Sequence, residues 1–199
     1  MTVRSHVSKP PLVVVVAGPN GAGKTSTSKK LLHGALAVNE YVNADQIASG
    51  LSAFQPETAA VEAGRVMLIR LKALAKAREN FAFETTLASR TFAPWLEVLR
   101  ASGYRTHLNF VALRSPELAI LRVAQRVKNG GHNIPDNTVR RRYVSGLRNF
   151  FHLYRPIVDS WQVYDNSDRR GPRLIAHDNA GSEAILDLVA WDNLLEQQK

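Results

Sequence analysis

The sequence predicts an α/β fold of three layers, a central and mostly parallel sheet between helices, and three observations carry that expectation. Leu12 to Ala17 is an unbroken apolar run with four valines, the pattern of a parallel strand covered on both faces. Apolar strand segments then alternate with helical ones, as parallel strands joined by crossover helices require. Third, Gly18-Pro19-Asn20-Gly21-Ala22-Gly23-Lys24-Thr25 follows the first strand directly and opens a helix. It matches G-x-x-x-x-G-K-[ST] in the strand-to-helix context that the motif needs. At 199 residues with 45% hydrophobic content, the chain suffices for one core, so a flexible tail over residues 1–11 and a single domain over 12–199 are expected.

The elements follow in order. A helix is expected over Thr25 to Leu32, and Ala37 to Asn43 reads as a short second strand with Asp45 just beyond it. From Glu57 to Arg78 the apolar positions Val61, Val66, Met67, Ile69, Leu71 and Leu74 keep a helical spacing, with Pro56 suited to the first turn. Phe81-Ala82-Phe83 is a third strand ending at Glu84-Thr85-Thr86, and a helix over Thr91 to Ala101 is closed by Gly103. Arg105 to Leu113 reads as the fourth strand. Ser115-Pro116-Glu117 combines a capping hydroxyl, a proline with no N–H to leave unpaired and an acid at the positive end, so a helix starts there and runs to about Lys128. The glycines after Asn129 break it, and Asp136 to Tyr154 resumes as helix. Helix, glycine loop and helix make a lid-like hairpin over about residues 122–142. Ser160 to Asp165 is a fifth strand, Arg173 to Ala176 a short sixth pairing with it, and Ser182 to Leu195 a closing helix.

The glycine segment carries the chemistry. Backbone N–H groups of such a loop form a nest for phosphate oxygens, with the helix behind it presenting its positive end. Gly18, Pro19, Asn20, Gly21, Ala22, Gly23, Lys24, Thr25 and Ser26 are therefore the expected nucleotide-binding residues, Lys24 reaching the β- and γ-phosphates and the Thr25 hydroxyl ligating Mg²⁺. The whole is a P-loop NTPase or kinase-like fold, binding ATP and Mg²⁺. Loops after parallel strands line one edge of a sheet, so Asp45 and Glu84 should face the triphosphate. Asp45, twenty-one positions beyond Lys24, is placed as the general base for an attacking hydroxyl, with an N-cap of the short helix after it as the alternative use. Glu84 holds Mg²⁺ through water or orients the acceptor, unless it is a surface carboxylate at a strand end.

Phosphoryl transfer spreads negative charge over the moving group, and cationic clamps stabilise it. The cations gather in the lid. Arg122 and Arg126 lie four apart on one helix face, and Arg140-Arg141-Arg142 cannot all point inward because residues diverge by about 100° each around a helix. Arg126 is expected at the site first, Arg122 on the nucleotide, then Arg140 or Arg141. His132 is a lid or substrate contact at most, Trp95, Trp161 and Trp191 are core or interface anchors, and Asp165-Asn166-Ser167 either forms a turn or meets the adenine.

Composition narrows the setting. A charge of +9, with 18 Arg to 8 Lys, suits phosphate recognition, since arginine grips phosphate in a planar, bidentate way. No stretch of about 18 apolar residues could span a membrane, the first eleven residues lack the apolar centre of a signal peptide, and cysteine is absent. A cytoplasmic protein without membrane attachment is expected. Nucleic acid is not an expected partner, because no DNA-reading motif stands out. Two other readings stay open: a kinase of another small acceptor, such as a nucleotide or sugar, and a basic ATP-binding switch or nucleic-acid-binding module with weak ATPase activity.

With these residues placed, the chain resembles the zeta-toxin family of P-loop kinases from about Leu12 to Ala176. The resemblance rests on Gly18 to Thr25, Val42-Asn43-Ala44-Asp45, Phe83-Glu84-Thr85-Thr86, the Arg122-to-Arg126 helix with Gly130-Gly131-His132, Arg140-Arg141-Arg142-Tyr143, and Val163-Tyr164-Asp165-Asn166-Ser167. It implies ATP/Mg²⁺-dependent phosphorylation of a hydroxyl on a small-molecule acceptor, with Asp45 as base, Lys24 on the phosphates and lid arginines on the transferred group. In toxin members that hydroxyl belongs to a UDP-N-acetyl amino sugar, and an antitoxin protein is the partner to look for. Family toxins carry Glu-Gly-Thr where this chain has Glu84-Thr85-Thr86, a change on the acceptor side of the pocket.

Overall fold

A computed structural model describes residues 9–33, 38–52, 58–131 and 133–198. Ala37, Pro56, Glu57, His132 and most of the expected tail lie outside the described residues. Among the described residues seven strands form one sheet in the order β2-β3-β1-β4-β5-β6-β7: β1 Leu12–Ala17, β2 Glu40–Val42, β3 Phe81–Thr85, β4 Arg105–Ala112, β5 Ser160–Asp165, β6 Arg173–Asn179 and β7 Ser182–Ile185. β2, β3, β1, β4 and β5 run parallel, while β6 and β7 close one edge as antiparallel neighbours. The helices are α1 Lys24–His33, α2 Ala44–Leu51, α3 Ala60–Lys76, α4 Phe92–Ala101, α5 Pro116–Lys128, α6 Asp136–Asn149 and α7 Leu188–Gln197.

Alternation along β1 explains why its apolar run has no polar break. Val13 and Val15 join the main core with Phe81, Phe83, Leu108, Phe110, Leu96 and Leu147, while Leu12, Val14 and Val16 pack on the other face with Val38 and Ala82. All four valines are fully buried, and each such side chain contributes about 1.5–3 kcal/mol. At the far side of the core Trp161 and Trp191 stack with centroids 5.7 Å apart, and the Arg155 guanidinium lies over both. These two tryptophans are core anchors, as expected.

The closing segment differs from the sequence expectation. Ser182 to Leu195 is not one helix: Ser182–Ile185 pairs with β6, and α7 starts only at Leu188. Ala180 and Gly181 both take positive φ, +53° and +90°, which makes a tight turn and reverses the chain into a hairpin. Asp187 then caps α7 by accepting from the Ala190 N–H at 3.0 Å, so the cap, rather than the apolar spacing, sets the helix start. Arg173–Ala176 is likewise only the first part of a longer strand.

α6 ends in a π-helical turn, Phe150–Tyr154, and this region anchors the loop after β3. The Asn149 amide donates to the Leu87 carbonyl at 2.7 Å and the Tyr154 hydroxyl to the Ser89 carbonyl at 2.7 Å. Gly146 lies so close beneath that a Cβ there would sit 2.2 Å from the Thr86 carbonyl oxygen. No described helix is long and apolar enough to cross a membrane.

Candidate functional site

The site forms at the carboxyl ends of β1, β2 and β3. Parallel pairing sets Val16 opposite Glu84 and Val42 opposite Phe83, so Glu84 stands between the phosphate loop and the end of β2. Gly18, Gly21 and Gly23 adopt φ of +140°, +78° and +79°, a conformation that L side chains rarely take. Space forbids substitution too. A Cβ on Gly18 would lie 2.2 Å from the Val111 carbonyl oxygen, and one on Gly21 would lie 2.8 Å from that of Ala119. The loop thus rests on β4 beneath it and on α5 beside it.

Glu84 gathers the other groups. Its Oε2 accepts from the Thr25 hydroxyl at 2.8 Å, the Tyr41 hydroxyl at 2.5 Å and the Asn43 amide at 2.9 Å. Lys24 Nζ lies 3.6 Å from Oε1 and donates to the Pro19 carbonyl at 3.0 Å. Burial lowers the Lys24 pKa from its ordinary 10.5, opposed by the attraction of Glu84 and Asp45. For Tyr41, burial first and then the Glu84 charge push the hydroxyl well above the usual tyrosine range, so it remains a proton donor. Glu84 is no surface carboxylate.

Asp45 is exposed and does not cap the helix that follows. Asn43 does: its Oδ1 accepts from the Asp45 and Gln46 N–H groups at 2.8 and 3.4 Å. That leaves the Asp45 carboxylate uncommitted to capping in the first turn of α2. A cavity of about 400 Å³ is lined by Thr25, Asn43, Asp45, Gln46, Ser49 and Arg126, among others, and so joins the phosphate loop to Asp45 and one lid arginine. Gly131 makes room for that arginine. Its N–H returns to the Arg126 carbonyl at 2.9 Å, and a Cβ on it would meet the Arg126 side chain at 2.5 Å.

The other arginines separate. Arg122 packs beside Gly21 and donates to the Ser167 carbonyl at 3.2 Å, next to the loop. Arg140 does not reach the site. It is exposed and pairs with Glu117 at 2.5 Å, and Arg141 is exposed as well. Arg142, two positions and about 200° further round α6, is the member of the triplet that approaches the loop, with Nη1 3.5 Å from Asn20 Oδ1. Ser26 is exposed at the start of α1.

Tyr41 and Asn43 are site residues that sequence reasoning does not assign a role, and for Asn166 and Arg142 it leaves the role open. Asp165 Oδ1 accepts from the Ser167 N–H at 3.0 Å, the expected turn, but Asn166 does more. Its amide donates to the Ala22 carbonyl at 2.7 Å and fills the space above Gly23. The period-two signal at Tyr41 and Asn43 puts both on one strand face, yet that face gains meaning only once β2 is known to lie beside β3.

A parallel sheet whose first strand feeds a glycine-built phosphate nest, with an acid from a neighbouring strand on its lysine and threonine, defines the P-loop kinase class of fold. The family model for Zeta toxin matches residues 52–174, and the chain belongs to that family. A protein of Haemophilus influenzae described as uncharacterized is 28% identical over 130 residues, 65% of this chain and 91% of that one. Among solved structures, the AvrRxo1-ORF1:-ORF2 complex with ATP superposes with a TM-score of 0.74 at 17% identity, over 98% of this chain. This chain spans 66% of the length of that one. A structure of the PezAT chromosomal toxin-antitoxin system of Streptococcus pneumoniae gives a TM-score of 0.62 at 18% identity, over 96% of this chain and 87% of that one. Both likenesses establish the fold.

Proposed function

We propose that the protein is an ATP-dependent phosphotransferase that moves the γ-phosphate of ATP to a hydroxyl of a small-molecule acceptor. The observation that carries this reading is the shared cavity: Thr25 of the phosphate loop, Asp45 and Arg126 line one space of about 400 Å³. Glu84 already stands beside the phosphate loop, so Asp45 is a second carboxylate on that space, which an acceptor hydroxyl uses and nucleotide binding alone does not. The residues from Gly18 to Ser26 bind the triphosphate, with Lys24 on its terminal oxygens and Arg122 on the nucleotide side. Asp45 accepts the proton of the acceptor hydroxyl, and Arg126 steadies the charge of the group in transit. Residues 122–142 act as the lid, and Arg142 replaces Arg140 as the triplet's contribution.

The residues present also fit Mg²⁺. The Thr25 hydroxyl and the Glu84 carboxylate are hard oxygen donors that stand together, 2.8 Å apart, and hard oxygen ligands suit this ion. Thr25 would ligate it directly and Glu84 would hold it through water. When bound, Mg²⁺ neutralises charge on the β- and γ-phosphates.

The acceptor reading follows the family toxins as a UDP-N-acetyl amino sugar, and an antitoxin protein is the corresponding partner. Support comes from family membership and from the fold shared with the PezAT toxin-antitoxin structure. Incubation with γ-labelled ATP, Mg²⁺ and a panel of UDP-sugars, free sugars and nucleosides tests it. Label should pass to a UDP-sugar with the wild type and fall by about 10²–10⁴-fold with Asp45→Asn. Undiminished transfer by the variant removes Asp45 as base, and transfer to another acceptor alone removes the UDP-sugar.

A further inference from the structure

We propose that Tyr41 is a positioning residue for the phosphate site, acting through Glu84. The inference rests on the phosphotransferase reading, but concerns a residue outside the phosphate loop, the lid and the candidate base. Glu84 Oε2 receives the Tyr41 hydroxyl at 2.5 Å, the Asn43 amide at 2.9 Å and the Thr25 hydroxyl at 2.8 Å. The first two donors come from β2 and the residue just after it, on one side of the carboxylate. Lys24 Nζ is 3.6 Å from the other oxygen, Oε1, longer than a charge-assisted hydrogen bond of about 2.7–2.9 Å. Glu84 is therefore anchored towards β2 and stops short of full contact with Lys24.

Two consequences favour the nucleotide. Lys24 keeps its charge available for phosphate instead of spending it on a tight carboxylate contact. Thr25, by donating its proton to a fixed acceptor, leaves its oxygen lone pairs for a cation, as partners behind a metal ligand commonly do. Removing the Tyr41 hydroxyl leaves Oε2 with two donors and frees the carboxylate to close on Lys24, where it competes with the triphosphate. Asn43 does not take over the place of that hydroxyl, because capping α2 through its carbonyl oxygen pins its side chain where it is.

Titration calorimetry of Mg·ATP into the full chain, for wild type, Tyr41→Phe, Glu84→Gln and the double variant, tests this. Tyr41→Phe should weaken Mg·ATP binding by about tenfold, the lower end of effects from groups that orient metal ligands. In the Glu84→Gln background the same change should alter binding less than about twofold, because two residues acting through one contact are not additive. A simple packing role would weaken binding equally in both backgrounds and would overturn the proposal, as would unchanged binding by Tyr41→Phe. If the wild type binds Mg·ATP and only the Tyr41 comparison fails, the phosphotransferase reading survives alone. A wild type that binds no Mg·ATP overturns both.

Discussion

At the scale of single residues, burial and a few short contacts determine which side chains carry charge into the site. Lys24→Ala should abolish measurable ATP binding in calorimetry, since no other described cation occupies its place between the Pro19 carbonyl and Glu84. Burial lowers the Lys24 pKa below 10.5, so the protonated form is lost earlier on the alkaline side than in a solvated lysine. ATP affinity should accordingly fall as pH rises through that lowered pKa, and a decline only above 10.5 would contradict the assignment. His107 behaves differently. Burial lowers its pKa from 6.5, and its ring nitrogens meet Ser160 Oγ at 2.7 Å and Asn109 Oδ1 at 3.2 Å. Below 6.5 the unfolded chain takes up a proton that the folded one refuses, so stability declines with acidification until the folded pKa is passed. Thermal melts from pH 7 to 5 should show that decline, and it should shrink in His107→Gln; an unchanged slope would remove His107 as its source. Arg126→Ala should reduce transfer by at least tenfold with melting temperature preserved, whereas Arg140→Ala should leave transfer within about twofold, because its pair with Glu117 is an exposed one of small worth.

At the scale of elements, the sequence was most legible where one local signal decides the structure. Ser115 caps α5 through the Leu118 N–H at 3.2 Å, with Pro116 first in the helix, as those residue types in that order require. The valine run of β1 and the Phe-Ala-Phe of β3 likewise became interior strands. Legibility failed where partners distant in sequence decide. Ser182–Ile185 is a strand because β6 offers it an edge, and nothing within the segment announces that neighbour. Helical angle alone cannot tell which of Arg140, Arg141 and Arg142 meets the phosphate loop, so the expectation of Arg140 or Arg141 missed Arg142. The contact of Gly146 with Thr86 is also a matter of long-range packing, and it is testable. Gly146→Ala should destabilise the fold by about 1–3 kcal/mol, the usual cost of overpacking, read from denaturant melts. Its Cβ would stand 2.2 Å from a backbone oxygen, so a neutral substitution would show that α6 does not brace the loop after β3.

At the scale of the whole molecule, a parallel sheet concentrates the ends of β1, β2 and β3 at one edge, and function is read from what collects there. Sequence alone identified Lys24, Thr25, Asp45, Glu84 and Arg126 as candidates, and the fold brings them around or beside one cavity. It could not supply Tyr41, or the contact of Asn166 with the phosphate loop, since their partners Glu84 and Ala22 lie 43 and 144 residues away. Nor does the net charge of +9 select a partner, because a basic balance serves polyphosphates, nucleic acids and anionic membranes alike. The central claim is that the Asp45 side of the cavity receives an acceptor hydroxyl and the phosphate-loop side a triphosphate. Mass spectrometry of a small-metabolite extract incubated with the protein, ATP and Mg²⁺ tests it most directly. The account predicts one metabolite gaining a single phosphate, with no such gain for Asp45→Ala; ATP consumed with phosphate released only to water, or the same product from the variant, would contradict it.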